Sequence, residues 1–96
     1  MAQATKTIEQ EFIEEFSGSR QRAMQALEIY PAGVTHDSRY VKPFPIYIAR
    51  AQGARKWDVD DHELTDYAVG HGSLIMGHNH PEVVAAVSAQ LQRGTH

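Results

Sequence analysis

Ninety-six residues, with nine Lys and Arg against twelve Asp and Glu for a net charge of −3, fit one small domain with a thin core, burying about 60–65% of its unfolded surface. The basic residues are interspersed with acids and form no stripe, which argues against nucleic acid as a partner. There is no cysteine, so disulfides, thiolate metal sites and cysteine nucleophiles are excluded.

The opening "MAQATKTIEQEF" lacks the apolar core of a signal peptide, and no apolar run approaches the roughly 20 residues of a membrane span. A soluble, cytoplasmic protein without a membrane partner is expected. From about Thr7 to Tyr30, Ile8, Phe12, Ile13, Phe16, Ala23, Met24 and Leu27 recur at spacings of three and four, which places them on one side of a helix. "SGS" at Ser17 to Ser19 weakens the middle, so the segment reads as one bent helix or as two, the second capped by Ser17 or Ser19. "YPAG" ends it, because the residue before proline avoids helical angles.

"VTHDSRYVKPFP" reads as an extended polar connector. "IYIARAQG" sets Ile46 and Ile48 against Tyr47 and Ala49, as a strand with one buried face does. "ARKWDV" and "ELTDYAV" give two further strands, with Asp61 and His62 at the hairpin turn. Last comes a helix opened by Pro81, with Asn79 or His80 as cap and Glu82 in the first turn. Val84, Val87 and Leu91 line one face, Arg93 stands in the last turn, and Gly94 is the C′ stop. The segment is therefore α+β: helix, three-stranded antiparallel meander, loop, helix. Two helices cannot plainly cover both faces of such a sheet. "RGTH" follows a helix stop where a longer protein would turn into its next element, so the segment reads as unfinished.

"WDVDDHELTDYAVGHGSLIMGHNHP" holds most of the chemistry. Asp58, Asp60 and His62 alternate like the start of a calcium loop, but Glu63 and Val69 occupy the positions that need glycine and glutamate. His78 and His80 could share zinc, yet no thiolate or third ligand is placed nearby, and a turn with a helix cap is the simpler reading. "GHGSLIMG" carries Ile75 where the dinucleotide fingerprint needs its last glycine, and no Walker-type triplet exists. Ser73, His71, His78 and Asp66 supply the residue types of a triad but no nucleophile elbow. Lys6, Lys42 and Lys56 lie in polar surroundings suited to solvated side chains.

The succession "G-x-R-x-W-D-V-D", "D-Y", "G-H-G", "G-H-N-H-P-E-V", "G-T" resembles the N-terminal part of class III aminotransferases, the fold type I enzymes that use pyridoxal 5′-phosphate. Within them it is most similar to the glutamate-1-semialdehyde aminomutase branch. The likeness covers Tyr30 to His96 closely and the leading helix loosely. It implies a division into a helix or helix pair over 1–30 and a meander, active-site loop and helix over 31–96, within an α/β enzyme whose large cofactor domain lies elsewhere. The Schiff-base lysine, the aspartate on the pyridine nitrogen and the phosphate loop would fall beyond residue 96, so the resemblance implies a fragment, a truncated piece or one chain of a nicked enzyme, with no catalytic residue of its own and inactive alone. Trp57 and Tyr67 would be packing anchors.

The resemblance also assigns substrate contacts. The family arginine that grips the substrate carboxylate aligns with Arg39, whose planar guanidinium suits a bidentate grip. His71 falls where the aminomutases carry a tryptophan on the pocket wall, and His36 where they carry a serine. These departures open the substrate to an amino acid or amine other than glutamate semialdehyde. A homodimer is implied. The alternatives are a small non-catalytic interaction module using its open sheet edge and, last, a standalone metal-binding domain.

Overall fold

The computed structural model describes residues 5–96; residues 1–4, at the head of the segment read as helical, lie outside the described residues. The leading segment forms two helices, α1 (Ile8–Glu15) and α2 (Ser17–Leu27). Thr7 opens α1 with a reciprocal cap: its hydroxyl accepts from Gln10 N–H at 3.2 Å, and Gln10 Oε1 accepts from Thr7 N–H at 2.8 Å. The break falls at Phe16 (φ −101°, ψ 46°), and neither Ser17 nor Ser19 caps α2. The cap comes instead from a distant residue. The carboxylate of Asp60 accepts from Gly18 N–H at 2.7 Å and Ser19 N–H at 3.1 Å. The fully buried Ser19 in turn accepts from Tyr47 N–H at 3.0 Å through its hydroxyl.

The 34–45 connector is not simply extended. It holds a 3₁₀ turn, Asp37–Arg39, after a first one at Pro31–Gly33, and its Lys42–Pro43 peptide is cis. Short polar side chains cause the second turn: Ser38 N–H donates to Asp37 Oδ1 at 2.8 Å and to His36 Nδ1 at 3.2 Å. The meander forms as expected, with β1 (Ile48–Gln52), β2 (Arg55–Asp58) and β3 (Glu63–Thr65) antiparallel in that order. An irregularity between Ile48 and Arg50 breaks the alternation expected of β1, and Ile48 is left exposed. The β2–β3 turn spans Asp58 to Asp61, two residues earlier than the sequence reading, with Asp61 at φ 67° closing it.

The final helix, α3 (Pro81–Leu91), starts at Pro81, and of the two candidate caps it is His80 that holds the N-cap position. His80 makes no side-chain cap bond, while Asn79 Nδ2 donates to Ala51 O at 2.7 Å. Gln92 is the C-cap, so Arg93 lies beyond the helix and Gly94 one place later than C′. The apolar residues of α3 are uncovered, Val84, Val87 and Leu91 being 46–55% exposed. Tyr67, at 92% exposure, is no packing anchor within this chain, whereas Trp57 packs under the Arg50 guanidinium, 3.8 Å from its ring centroid. No helix among the described residues is long and apolar enough to cross a membrane.

The packed centre is a small aromatic group. Phe44, 7% exposed, meets Phe12 at 5.1 Å between centroids, Phe12 meets Phe16 at 4.7 Å, and Phe16 meets the His62 ring at 4.6 Å. The radius of gyration is 17.4 Å, against about 13 Å for a closed domain of 100 residues. Compactness is confined to the helix–meander junction.

That junction turns on buried acids. Asp58 Oδ1 accepts from Asp60 N–H at 3.0 Å and His62 N–H at 2.8 Å, and its Oδ2 lies 2.8 Å from His62 Nδ1. Burial is the largest influence on Asp58 and raises its pKa, but bonds from the His62 ring and from the His62 and Asp60 N–H groups together outweigh it and lower the carboxyl. His62 is raised, chiefly by its bond to Asp58.

Two predictions follow from the junction. With His62 raised, its contribution is complete below its unfolded value of about 6.5 and is lost as pH climbs through the higher folded value. Asp58, lowered, contributes above about 3.9 and loses that contribution as pH falls through its lower folded value. Thermal stability should therefore be higher at pH 5–6 than at pH 8, with His62→Gln flattening the alkaline limb; an NMR titration of His62 with a midpoint at or below about 6.5 would contradict this. Gly18→Ala should also reverse the usual helix rule. Alanine normally gains about 1 kcal/mol over glycine, but here its Cβ would stand 2.6 Å from Asp60 Oδ1. Denaturant unfolding should show Gly18→Ala destabilising by about 1–2 kcal/mol, the scale of a lost cap, and stabilising once Asp60 is also alanine.

Candidate functional site

Arg39 ends the 3₁₀ turn set by His36, Asp37 and Ser38, and the turn aims it across the start of the connector. There its Nη1 donates to Thr35 Oγ1 at 2.8 Å. The residue is exposed, and among the described residues no carboxylate pairs with it. It lines an open groove of about 780 Å³ with Ala26, Tyr30, Thr35, Tyr47 and Lys56. A planar cation, a second cation, two phenols and a hydroxyl around an apolar floor can hold a small molecule bearing a carboxylate. His36 and His71 are not among the groove's lining residues. The His36 ring stays with its own turn, 2.8 Å from Ser38 Oγ.

His71 stands apart on the loop between β3 and α3. The loop is a chain of tight turns closed by Leu74 N–H to Val69 O at 3.0 Å and Gly77 N–H to Leu74 O at 2.9 Å. Val69, Gly70, His71 and Gly72 all take positive φ, which makes an outward-projecting knuckle with His71 exposed. At the far end Gly77 is a close approach: a Cβ would stand 3.0 Å from the Gly53 backbone, where Gly53 and His78 exchange N–H···O bonds at 2.9 Å in both directions.

Asp66 closes the near end. Its Oδ1 accepts from Ala68 and Val69 N–H, both at 3.0 Å, and its Oδ2 lies 2.6 Å from His78 Nε2. Lys56 Nζ stands 3.1 Å from Oδ1. The carboxyl is held far below the usual carboxylate range, first by the His78 bond and next by the Val69 N–H, against the effect of burial. Sequence reasoning misses this assembly, as it misses Lys56, Tyr30 and Tyr47 on the groove. An available signal is the pattern in which an acid precedes two residues of a turn, which favours a side chain bonding its own backbone two residues on.

The other candidates have ordinary partners. The donor atoms of Asp58, Asp60 and His62 lie within 4.8 Å of one another, but all four carboxylate oxygens already accept hydrogen bonds from backbone N–H groups or from His62. His78 is committed to Asp66 through Nε2, at 2.6 Å from Oδ2. Ser73 Oγ donates to Gly70 O at 2.7 Å, a turn bond rather than a triad contact. Lys6 pairs with Glu14 and Lys56 with Asp66, while Lys42 lines a shallow apolar groove beside Pro43 and Phe44. No lysine among the described residues stands in the desolvated surroundings that activate an amine toward a carbonyl.

Known proteins resemble this chain in sequence and in fold. The glutamate-1-semialdehyde 2,1-aminomutase of Methanopyrus kandleri is 42% identical over 83 residues, covering 86% of this chain and 19% of its own length. A β-phenylalanine aminotransferase from Variovorax paradoxus superposes with a TM-score of 0.83 at 28% identity, covering 90% of this chain and 20% of that one. A glutamate-1-semialdehyde aminomutase from Pseudomonas aeruginosa PAO1, solved in complex with PMP, gives 0.81 at 27% identity, covering 90% and 19%. The chain thus spans about a fifth of the length of these relatives. The profile of the aminotransferase class-III family matches residues 36–96, the stretch that contains the meander, the knuckle loop and α3, and the chain belongs to that family.

Proposed function

We propose that this chain is the substrate-facing segment of a pyridoxal 5′-phosphate-dependent aminotransferase or aminomutase, which moves an amino group between an amino acid or amine and a carbonyl compound. The observation that carries the reading is Arg39, presented on a concave surface with no acid paired to it among the described residues. An unpaired guanidinium held by a hydroxyl is poised for a bidentate carboxylate grip. Two aminomutases and an aminotransferase among the relatives, one of them solved with PMP, support the reaction class and the cofactor.

When bound, the cofactor supplies the electron sink for breaking bonds at the amino carbon. The groups that hold it would come from residues beyond this segment. This segment's own work is on the substrate. Arg39 binds and orients the carboxylate. His36 contributes by holding the turn that presents Arg39, through the Ser38 bonds already described. His71 forms part of the pocket wall and gives it a polar, titratable surface where an indole would give an apolar one. The exposed apolar residues Ile75, Met76, Val83, Val87 and Leu91 offer a surface on which the rest of the enzyme and a second subunit of a homodimer would pack.

In a protein of family length carrying this segment, Arg39→Ala should lower kcat/KM for a carboxylated amino donor by about tenfold to a hundredfold, the loss of a charge-assisted hydrogen-bond pair worth 1.5–3 kcal/mol. A donor amine without a carboxylate should be nearly unaffected. Equal kcat and KM for the carboxylated donor in the two proteins would remove Arg39 from the site.

A further inference from the structure

We propose that Asp66 is a positioning residue for the reaction, a clasp that fixes both ends of the 67–77 loop and thereby the place of His71. The proposal rests on the reading that this loop forms a wall of the substrate pocket. One carboxylate gathers three tethers: the Ala68 and Val69 N–H groups at the loop's entry, His78 at its exit, and Lys56 from β2. Its side chain is 2% exposed, so water does not compete for these bonds, and losing one leaves a buried polar group unpaired.

The clasp holds a backbone that would not hold itself. Val69 and His71 stand at φ 42° and 58°, a region that L residues enter at a cost, and a β-branched residue above all. The bonds inside the loop, such as Leu74 N–H to Val69 O and Ser73 Oγ to Gly70 O, move with it. Its attachments to the sheet are Asp66, the Gly53–His78 bridge and the bond from Asn79 to Ala51. Lys56 also lines the Arg39 groove, so the carboxylate that holds the loop is tied to the groove through its ion pair with Lys56. A group in that position acts on their relative geometry, where a displacement of about 1 Å can cost a hundredfold in rate.

In a protein of family length, Asp66→Ala is expected to lower kcat/KM for the amino substrate about tenfold to a hundredfold. It should also speed amide exchange at Ala68 and Val69 and lower the thermal midpoint, because a buried set of hydrogen bonds is lost. Asp66→Asn keeps an oxygen for those N–H groups but loses the charge facing His78 and Lys56, and should recover part of the activity. Faster exchange with unchanged kcat and KM would overturn the proposal, as would unchanged exchange. His71→Ala separates the two levels of the argument. If it raises KM while Asp66→Ala does not, the clasp alone fails; if both leave the kinetics unchanged, the loop is no pocket wall. Should Asp66→Ala not fold, His78→Gln removes only the exit tether and is read by the same outcomes.

Discussion

Carboxylates accepting backbone N–H bonds are the constraint on which this structure depends. Asp58 ties the β2–β3 turn, Asp60 ties that turn to the start of α2, and Asp66 ties the knuckle loop to the sheet. Each is placed where the chain reverses and where N–H groups have no ladder partner. A hydrophobic core of this size could not do the same work. Phe44 is the buried large apolar side chain among the described residues, and Ser19, Asp58 and Asp66 are buried with it. Ionised acceptors make shorter and stronger bonds than neutral ones, so a few of them fix geometry that a thin core would leave loose.

His62 links the polar network to the aromatic one. Its ring meets Phe16 on one side and the Asp58 carboxylate at Nδ1, so the turn, the helix break and the Phe12–Phe44 contact are mutually dependent. Glycine at 18 completes the fit, because the Asp60 oxygen occupies the space a side chain would take. The helix break at Phe16 is therefore not a weakness of "SGS" alone. It is the point where a distant acid supplies the cap that the local serines do not.

Local features were legible in the sequence, and long-range ones were not. The helical spacing of Ile8 through Leu27, the three strands and Pro81 as a helix start all express periodicity or backbone restriction, which neighbouring residues reveal. The cap on α2 depends on a residue 42 positions away, and no window of sequence contains it. Asp58, Asp60 and His62 drew notice as metal-type donors for a sound reason: the same lone pairs serve a cation or an N–H group, and spacing alone cannot say which. The extended connector failed because His36, Asp37 and Ser38 offer the backbone local partners that compete with extension. For the site, the assignment of Arg39 came from resemblance, and the groove beside it gives that assignment a physical setting. Asp66 was read only as a triad-type acid and Lys56 only as a solvated amine, because their pairing with each other and with His78 exists only once the fold brings them together.

The balance between ordered loops and bare apolar surface has a functional logic. Under the proposed function the 67–77 loop is a pocket wall, and such a wall must hold its shape at the moment of binding, since ordering it then would be subtracted from affinity and rate. Hydrogen-bonded acids provide that order from within the segment, before any neighbour arrives. The apolar faces of α3 and of the Ile75–Met76 knuckle remain free to serve as packing surfaces, because the loop's geometry does not depend on them. Shape and attachment are thus carried by different chemistry, polar tethers for the first and exposed hydrocarbon for the second. In the proposed enzyme, a substitution on α3 would weaken docking without misplacing Arg39 or His71, while one at Asp58, Asp60 or Asp66 would alter what the docked surface presents.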